Sequence, residues 1–212
     1  NILAMKREVI AEHGVWTAKK RYLLWVHDNE GVRYETPKLK SVGLETVRSS
    51  TPKYAREAIK NALEAFIKGD KQRFYDLLDD AEYEFSKRPF EDIATPKTCN
   101  GLDVYGIQAD GSFTTKTPIH VRGALVYNRH LEATGLTKKY PTIRNGEKIR
   151  FCYLKEQNPL RSTVIAAPNK LPVEWNLEDF LDRNEQFQKA VLGPLEGVIM
   201  HAGWSIRPTV TL

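Results

Sequence analysis

From Trp16 to His27 the chain is dense in β-branched and aromatic residues. Asp28, Asn29, Glu30 and Gly31 follow as a turn, and Val32 to Leu44 continues in extended character, which together predict a β-hairpin. Pro37 interrupts the second arm and cannot donate to a ladder, so that arm is expected at an edge or bent there. Ser50, Thr51 and Pro52 then supply a hydroxyl cap and a proline suited to a first helical turn. Tyr54, Ala58, Ile59, Ala62, Leu63 and Phe66 recur at helical period up to Gly69, which ends the helix. Asp70 caps a second helix with Phe74, Leu77, Leu78, Ala81 and Phe85 as its apolar stripe, and the pair is expected to lie antiparallel.

Beyond Pro89 the pattern breaks into short extended pieces separated by Gly, Asn, Asp and Pro as far as Pro172, an irregular β-containing lobe. A last helix is predicted from about Asn176 to Leu192, with Leu177, Phe180, Leu181, Phe187 and Val191 on one face and Gly193 and Pro194 as its stop. The fold class is therefore α+β.

A chain of 212 residues, 41% apolar, can bury a sizeable core. Its apolar runs fall far short of the roughly 20 residues needed to cross a bilayer, so no membrane role is expected. Cys99 and Cys152 show neither zinc spacing nor a disulfide framework. The net charge of +5 is unevenly distributed: cations exceed acids by five in residues 1–60 and by seven in 93–170, while acids exceed cations by four in 61–92 and by three in 171–212. Segregation of this kind suits a protein that holds a polyanion on one surface, although a solvated surface is an equally good account of charge alone.

No autonomous active site is visible. The acidic pairs Asp79–Asp80, Glu91–Asp92 and Glu178–Asp179 have no partner His or Cys, the five histidines show no ligand spacing, and neither a phosphate loop nor a serine elbow occurs. Three segments instead combine cations, small polar groups and aromatics, as a surface that tracks a nucleic-acid backbone requires. In KKRY, strand alternation would send Lys20 and Tyr22 to one face and Lys19 and Arg21 to the other. In GLETVRSSTP, residues 43–52, Arg48, Ser49 and Ser50 precede a helix whose free N–H groups attract phosphate. In KTPIHVRGALVYN, residues 116–128, His120 and Arg122 would share one face of an extended run that follows Lys116. Taken singly, each has a plainer reading, as an edge-strand gatekeeper, a helix cap or ordinary surface.

Taken together and in this order, the segments resemble the family B replicative DNA polymerases of tailed bacteriophages. The similarity is almost continuous over WTAKKRYLLWVHDNEGVRYETPKLKSVGLETVRSSTPK, residues 16–53, and continues in KTPIHVRGALVYN and in GPLEG at 193–197. The resemblance implies that residues 1–50 are the end of a palm domain and 51–212 a thumb. It also implies that Lys20 and Tyr22 contact the minor groove of the primer–template duplex, with Lys19 and Arg21 beside them. Arg48, Ser49 and Ser50 would touch the primer strand, and Lys97, Asn100, Lys116, His120 and Arg122 would hold the duplex backbone.

The family's metal-binding aspartates lie in SLYPS-type and DTD-type motifs, and neither string occurs here. The fingers and the proofreading exonuclease are likewise not matched. The resemblance therefore implies a non-catalytic portion of a nucleotidyltransferase, with no cofactor of its own and two Mg²⁺ ions in the intact enzyme. Its implied partners are primer–template DNA, the upstream palm, fingers and exonuclease and, through a terminal peptide that Leu212 is expected to stop short of, a sliding clamp. Its setting would be the cytoplasm of an infected bacterial host. A separately encoded nucleic-acid-binding subunit or accessory protein is the alternative.

Overall fold

The computed structural model describes residues 7–44 and 50–207. It has the expected α+β composition, divided between two compact units. One draws on residues 7–44, 56–81 and 191–207, the other on 50–55 and 82–190, so the chain passes between units close to the expected palm–thumb boundary and again further on.

In the first unit, β1 (Val9–Ala18), β2 (Arg21–Asn29) and β3 (Val32–Val42) form an antiparallel sheet in sequence order. The hairpin is thus extended by a strand: Trp16–His27 is not one arm but two, folded at Lys19–Lys20. Lys-Lys carries none of the usual turn residues, and Lys20 reaches the turn by adopting φ of 61°. The 28–31 turn forms where the sequence placed it. Glu30 and Gly31 have φ of 54° and 86°, the pattern of a type I′ turn, and the Asp28 carboxylate accepts from the Gly31 N–H at 2.8 Å. Leu23 to Val26 are all buried, as a central strand covered on both faces must be.

Helix α1 (Lys53–Ile67) starts directly after Pro52, and α2 (Lys71–Ser86) follows a three-residue link. That link closes both helices. Gly69, at φ of 76°, donates to the Phe66 carbonyl and Asp70 donates to that of Ala65, the paired bonds of a Schellman motif. The Asp70 carboxylate then accepts from the Arg73 N–H at 3.0 Å and caps α2. The apolar stripes are buried largely as expected, and Trp204 packs edge-on against Phe66 and Phe74 with centroids 5.0 and 5.5 Å away.

In the second unit, α3 (Phe90–Ile93) leads into β4 (Thr95–Thr98), which pairs with β5 (Lys148–Tyr153), which pairs in turn with β6 (Val164–Ala167), all antiparallel. Helix α4 (Ile119–Ala133) lies on β6 and β5. This corrects the extended reading of KTPIHVRGALVYN. The β-branched residues suggest a strand, but Pro118 sits at the N-cap, and Val121, Ala124, Val126, Tyr127 and Leu131 make a buried helical face. Gly123 permits the close approach, because a Cβ there would stand 2.9 Å from the Ala166 nitrogen.

The closing helix is also not continuous. Glu178–Phe180 is a 3₁₀ turn, α5 (Arg183–Phe187) begins at an Asp182 cap, and Gln188–Leu192 forms a wide π turn. Gly193 and Pro194 do not stop it but open α6 (Gly193–Ile199). Pro194 has no N–H for the ladder and its ring crowds the preceding turn, and a widened turn just ahead accommodates both. Among the described residues no helix is long and apolar enough to cross a membrane.

Candidate nucleic-acid interface

The expected site residues fall in both units. In the first, Lys19 and Lys20 form the exposed two-residue tip between β1 and β2, while Arg21 and Tyr22 open β2, half-buried. The alternation predicted for KKRY is therefore replaced: Lys20 projects from a turn, not from a strand face. Behind the tip lies Gly43, at φ of 68°. Its backbone is so close to the Lys20 carbonyl that a Cβ would collide with it, and such a Cβ would also meet the Arg21 Cγ. The start of the GLETVRSSTP segment thus supports the KKRY turn. Arg48 and Ser49 lie outside the described residues, and Ser50 is exposed in a turn before α1.

Tyr22 pairs across the sheet with Trp16 and with Val42, so the three share a face. The Trp16 indole is 65% exposed and lies across Gly14, where a Cβ would come within 2.6 Å of the ring. The sequence reading does not single out Trp16 as a site residue. A large exposed aromatic close to a basic turn is the signal that could have found it.

In the second unit, Lys97 is exposed on the edge strand β4, opposite Ile149. Asn100 is exposed in the loop that follows. That loop is held on both sides: Cys99 exchanges backbone bonds with Gly146 and Glu147, and the Gly101 N–H donates to the Asn145 side chain at 2.6 Å. Lys116 is exposed with φ of 63°. His120, in the first turn of α4, sits half-buried with its ring 6.2 Å from that of Phe151. Burial, and after it the positive charge of Lys97, pushes its pKa down from the ordinary value. The structure therefore brings Lys97 and His120 together.

His120 and Arg122 are not on one face. Two residues apart on a helix they point about 200° apart. Arg122 instead binds its own loop, donating from Nε to the Thr117 carbonyl at 2.9 Å with its guanidinium 5.4 Å from the Phe113 ring centre. Part of its work is structural.

Neither cysteine is placed for chemistry. Both are buried free thiols, and burial raises both pKa values, that of Cys99 to about 11. Among the described residues no group of three or more His, Cys, Asp or Glu side chains is placed to hold a metal ion.

Comparison with known proteins bears out the resemblance read from the sequence. The chain is 32% identical over 203 residues to the DNA-directed DNA polymerase of Enterobacteria phage T4, an alignment that takes in 94% of this chain and 22% of the phage protein. It is 33% identical over 210 residues to the DNA-directed DNA polymerase of Escherichia phage RB69, 93% of this chain and 23% of that protein. The chain thus spans about a fifth of the length of the curated relatives it matches. No protein-family model matches it.

Proposed function

We propose that this chain, a relative of phage DNA-directed DNA polymerases along nearly its whole length, is the late palm (1–50) and thumb (51–212) of such an enzyme and grips primer–template duplex without reading its sequence. The observation that carries this reading is a match that takes in 94% of the chain. The exposed Lys19–Lys20 tip agrees with it. Two ammonium groups on a supported turn can neutralise phosphates and release their counterions, and the Tyr22 hydroxyl can meet minor-groove acceptors, which differ little between base pairs. In the second unit the exposed Lys97, Asn100 and Lys116 and the half-buried His120 are assigned the duplex-backbone contacts, and Ser50 offers a hydroxyl ahead of α1.

Two-metal phosphoryl transfer needs clustered carboxylates to clamp the attacking and leaving oxygens. Among the described residues no group of three or more potential ligands is placed to hold a metal ion, and no catalytic step is assigned to this chain. The Mg²⁺ ions, the upstream palm, fingers and exonuclease, and the sliding clamp belong to the proposed whole enzyme, acting in an infected bacterial cell.

Duplex binding by the full chain, followed by fluorescence anisotropy across salt concentrations, tests the reading. Lys20→Ala and Tyr22→Ala are expected to weaken binding equally for unrelated sequences, with a shallower salt slope for Lys20→Ala. Primer extension is expected only when a fragment carrying the metal-binding aspartates is added. A chain that binds no duplex, or that leaves extension by that fragment unchanged, would sink the proposal.

A further inference from the structure

Strand β3 leaves its ladder for four residues. Val26 pairs with Lys38 and Asp28 with Arg33, so only His27 of β2 stands against Tyr34–Pro37 of β3. The departure opens a groove of about 540 Å³ bounded by Asn29, Tyr34, Lys38, Lys40 and, from α1, Lys60, over a floor that includes Val26. Its lining holds three cations and no carboxylate. Two other surface grooves contrast with it. One is lined by Lys87, Lys170 and Arg183 together with Glu91, Glu178 and Asp179, the other by Lys68 and Arg73 together with Glu64 and Asp70. Most of their cations already have acidic partners: Lys170 pairs with Glu91 at 2.9 Å, Arg183 with Glu178 at 3.0 Å and Lys68 with Glu64 at 2.8 Å. Among the described residues none of Lys38, Lys40 and Lys60 has an acidic partner.

The groove's lysines are also positioned. The Lys38 ammonium lies 4.6 Å from the centre of the Tyr34 ring, and the Lys40 ammonium donates to the Asn29 side chain at 2.9 Å. An ammonium has three donors, so the bond to Asn29 fixes Lys40 while leaving it capacity for a ligand oxygen. Three like charges around one small groove repel each other, and a bound oxyanion relieves that repulsion.

The groove also continues the proposed duplex surface. Tyr22, Leu24 and Val26 pair with Val42, Lys40 and Lys38, and cross-strand partners share a face. Lys40 is two residues from Val42 along β3, roughly 7 Å at strand spacing, and Lys38 is the same distance further on. We propose that this groove seats a backbone phosphate of the nucleic-acid strand that passes Tyr22, a few nucleotides along from the Lys19–Lys20 tip. The proposal rests on the reading of the chain as a duplex-gripping module.

The test compares the full chain with a variant carrying Lys38→Ala, Lys40→Ala and Lys60→Ala, and with a control that removes three lysines already paired to glutamates: Lys87→Ala, Lys139→Ala and Lys189→Ala. Duplex DNA is the probe, and anisotropy between about 50 and 200 mM salt is the readout. The groove variant is expected to bind on the order of 10-fold more weakly than the control, with a log–log salt slope smaller by about 0.9, the value for one phosphate no longer neutralised. Lys→Arg at the same three positions is expected to retain binding. If the groove variant and the control fall equally in affinity and slope, the groove is overturned while the duplex reading stands. If the parent chain binds no duplex, both are overturned. Where the triple variant lowers the unfolding midpoint, Lys60→Ala alone, at an exposed helix position, carries the same comparison and must still bind more weakly than Lys87→Ala.

Discussion

Gly43 lies with its α-carbon against the carbonyl of Lys20, so the exposed basic turn of the first unit is braced by a residue that has no side chain. Both residues are in the left-handed region, Gly43 at φ of 68° and Lys20 at 61°. Gly43→Ala therefore faces a collision and a strained backbone together. We expect it to cost about 1–3 kcal/mol in urea denaturation and to displace the Lys19–Lys20 tip, weakening duplex binding. Gly31→Ala is the comparison. At φ of 86° it carries the backbone strain but has nothing within 4 Å of the added Cβ, so its destabilisation should be smaller and its duplex affinity unchanged.

A second glycine sets the spacing of helix on sheet. At Gly123 an added Cβ would stand 2.9 Å from the Ala166 nitrogen and 3.0 Å from the Ile165 carbonyl carbon, both backbone atoms that cannot swing away. Helix propensity alone predicts that Gly123→Ala stabilises α4 by up to about 1 kcal/mol. Overpacking of about 1–3 kcal/mol opposes it and is expected to win, because α4 must then lift off β6. Thermal unfolding decides the sign, and a raised midpoint would show that helix and sheet pack more loosely than described.

Local chemistry explains which parts of this architecture are legible in the sequence. Asp28 to Gly31 and Gly69–Asp70 announce themselves because each needs a residue type that few positions tolerate, and both form as read. The Lys19–Lys20 turn does not, since what places it is Gly43, more than twenty residues away. The α4 segment reads as a strand because Ile119, Val121 and Val126 favour strands locally, while burial of the Val121–Leu131 face against β6 decides for helix. The candidate site residues come from the resemblance and not from any local pattern that names them alone. The lysine groove is only half legible: Lys38 and Lys40, two apart on a strand, must share a face, but Lys60 joins them only through the tertiary fold.

A buried side-chain amide ties the second unit's sheet to its closing helix. Gln186 is fully buried. Its Nε2 donates to the Ile93 carbonyl and to the Thr95 hydroxyl, both at 2.9 Å, and its Oε1 accepts from the Tyr153 N–H at 3.3 Å. Gln186→Leu keeps the volume but leaves the buried Ile93 carbonyl, and the part-buried Thr95 hydroxyl and Tyr153 N–H, without this partner. A destabilisation of about 2–4 kcal/mol is expected in denaturant unfolding, and a value below about 1 kcal/mol would mean that these groups find other partners.

The partial burial of His120 and His130 makes stability pH-dependent in a definite direction. Burial first, and Lys97 second, hold the His120 pKa below its ordinary value of 6.5; burial and then Arg129 do the same to His130. As pH falls, the unfolded chain takes up these protons before the folded one does. Stability is therefore fully present above about 6.5 and is lost progressively below it, until the folded-state pKa values are passed. Proton NMR of the His120 ring separates the two causes. Lys97→Ala removes one positive neighbour and should move the His120 midpoint upward, though not to the ordinary value, because burial remains. Added duplex should also move it upward in the parent chain if a phosphate comes to lie beside His120, since a nearby anion favours the imidazolium. A midpoint that ignores saturating duplex would remove His120 from the proposed interface and leave it as a packing residue of α4 against Phe151.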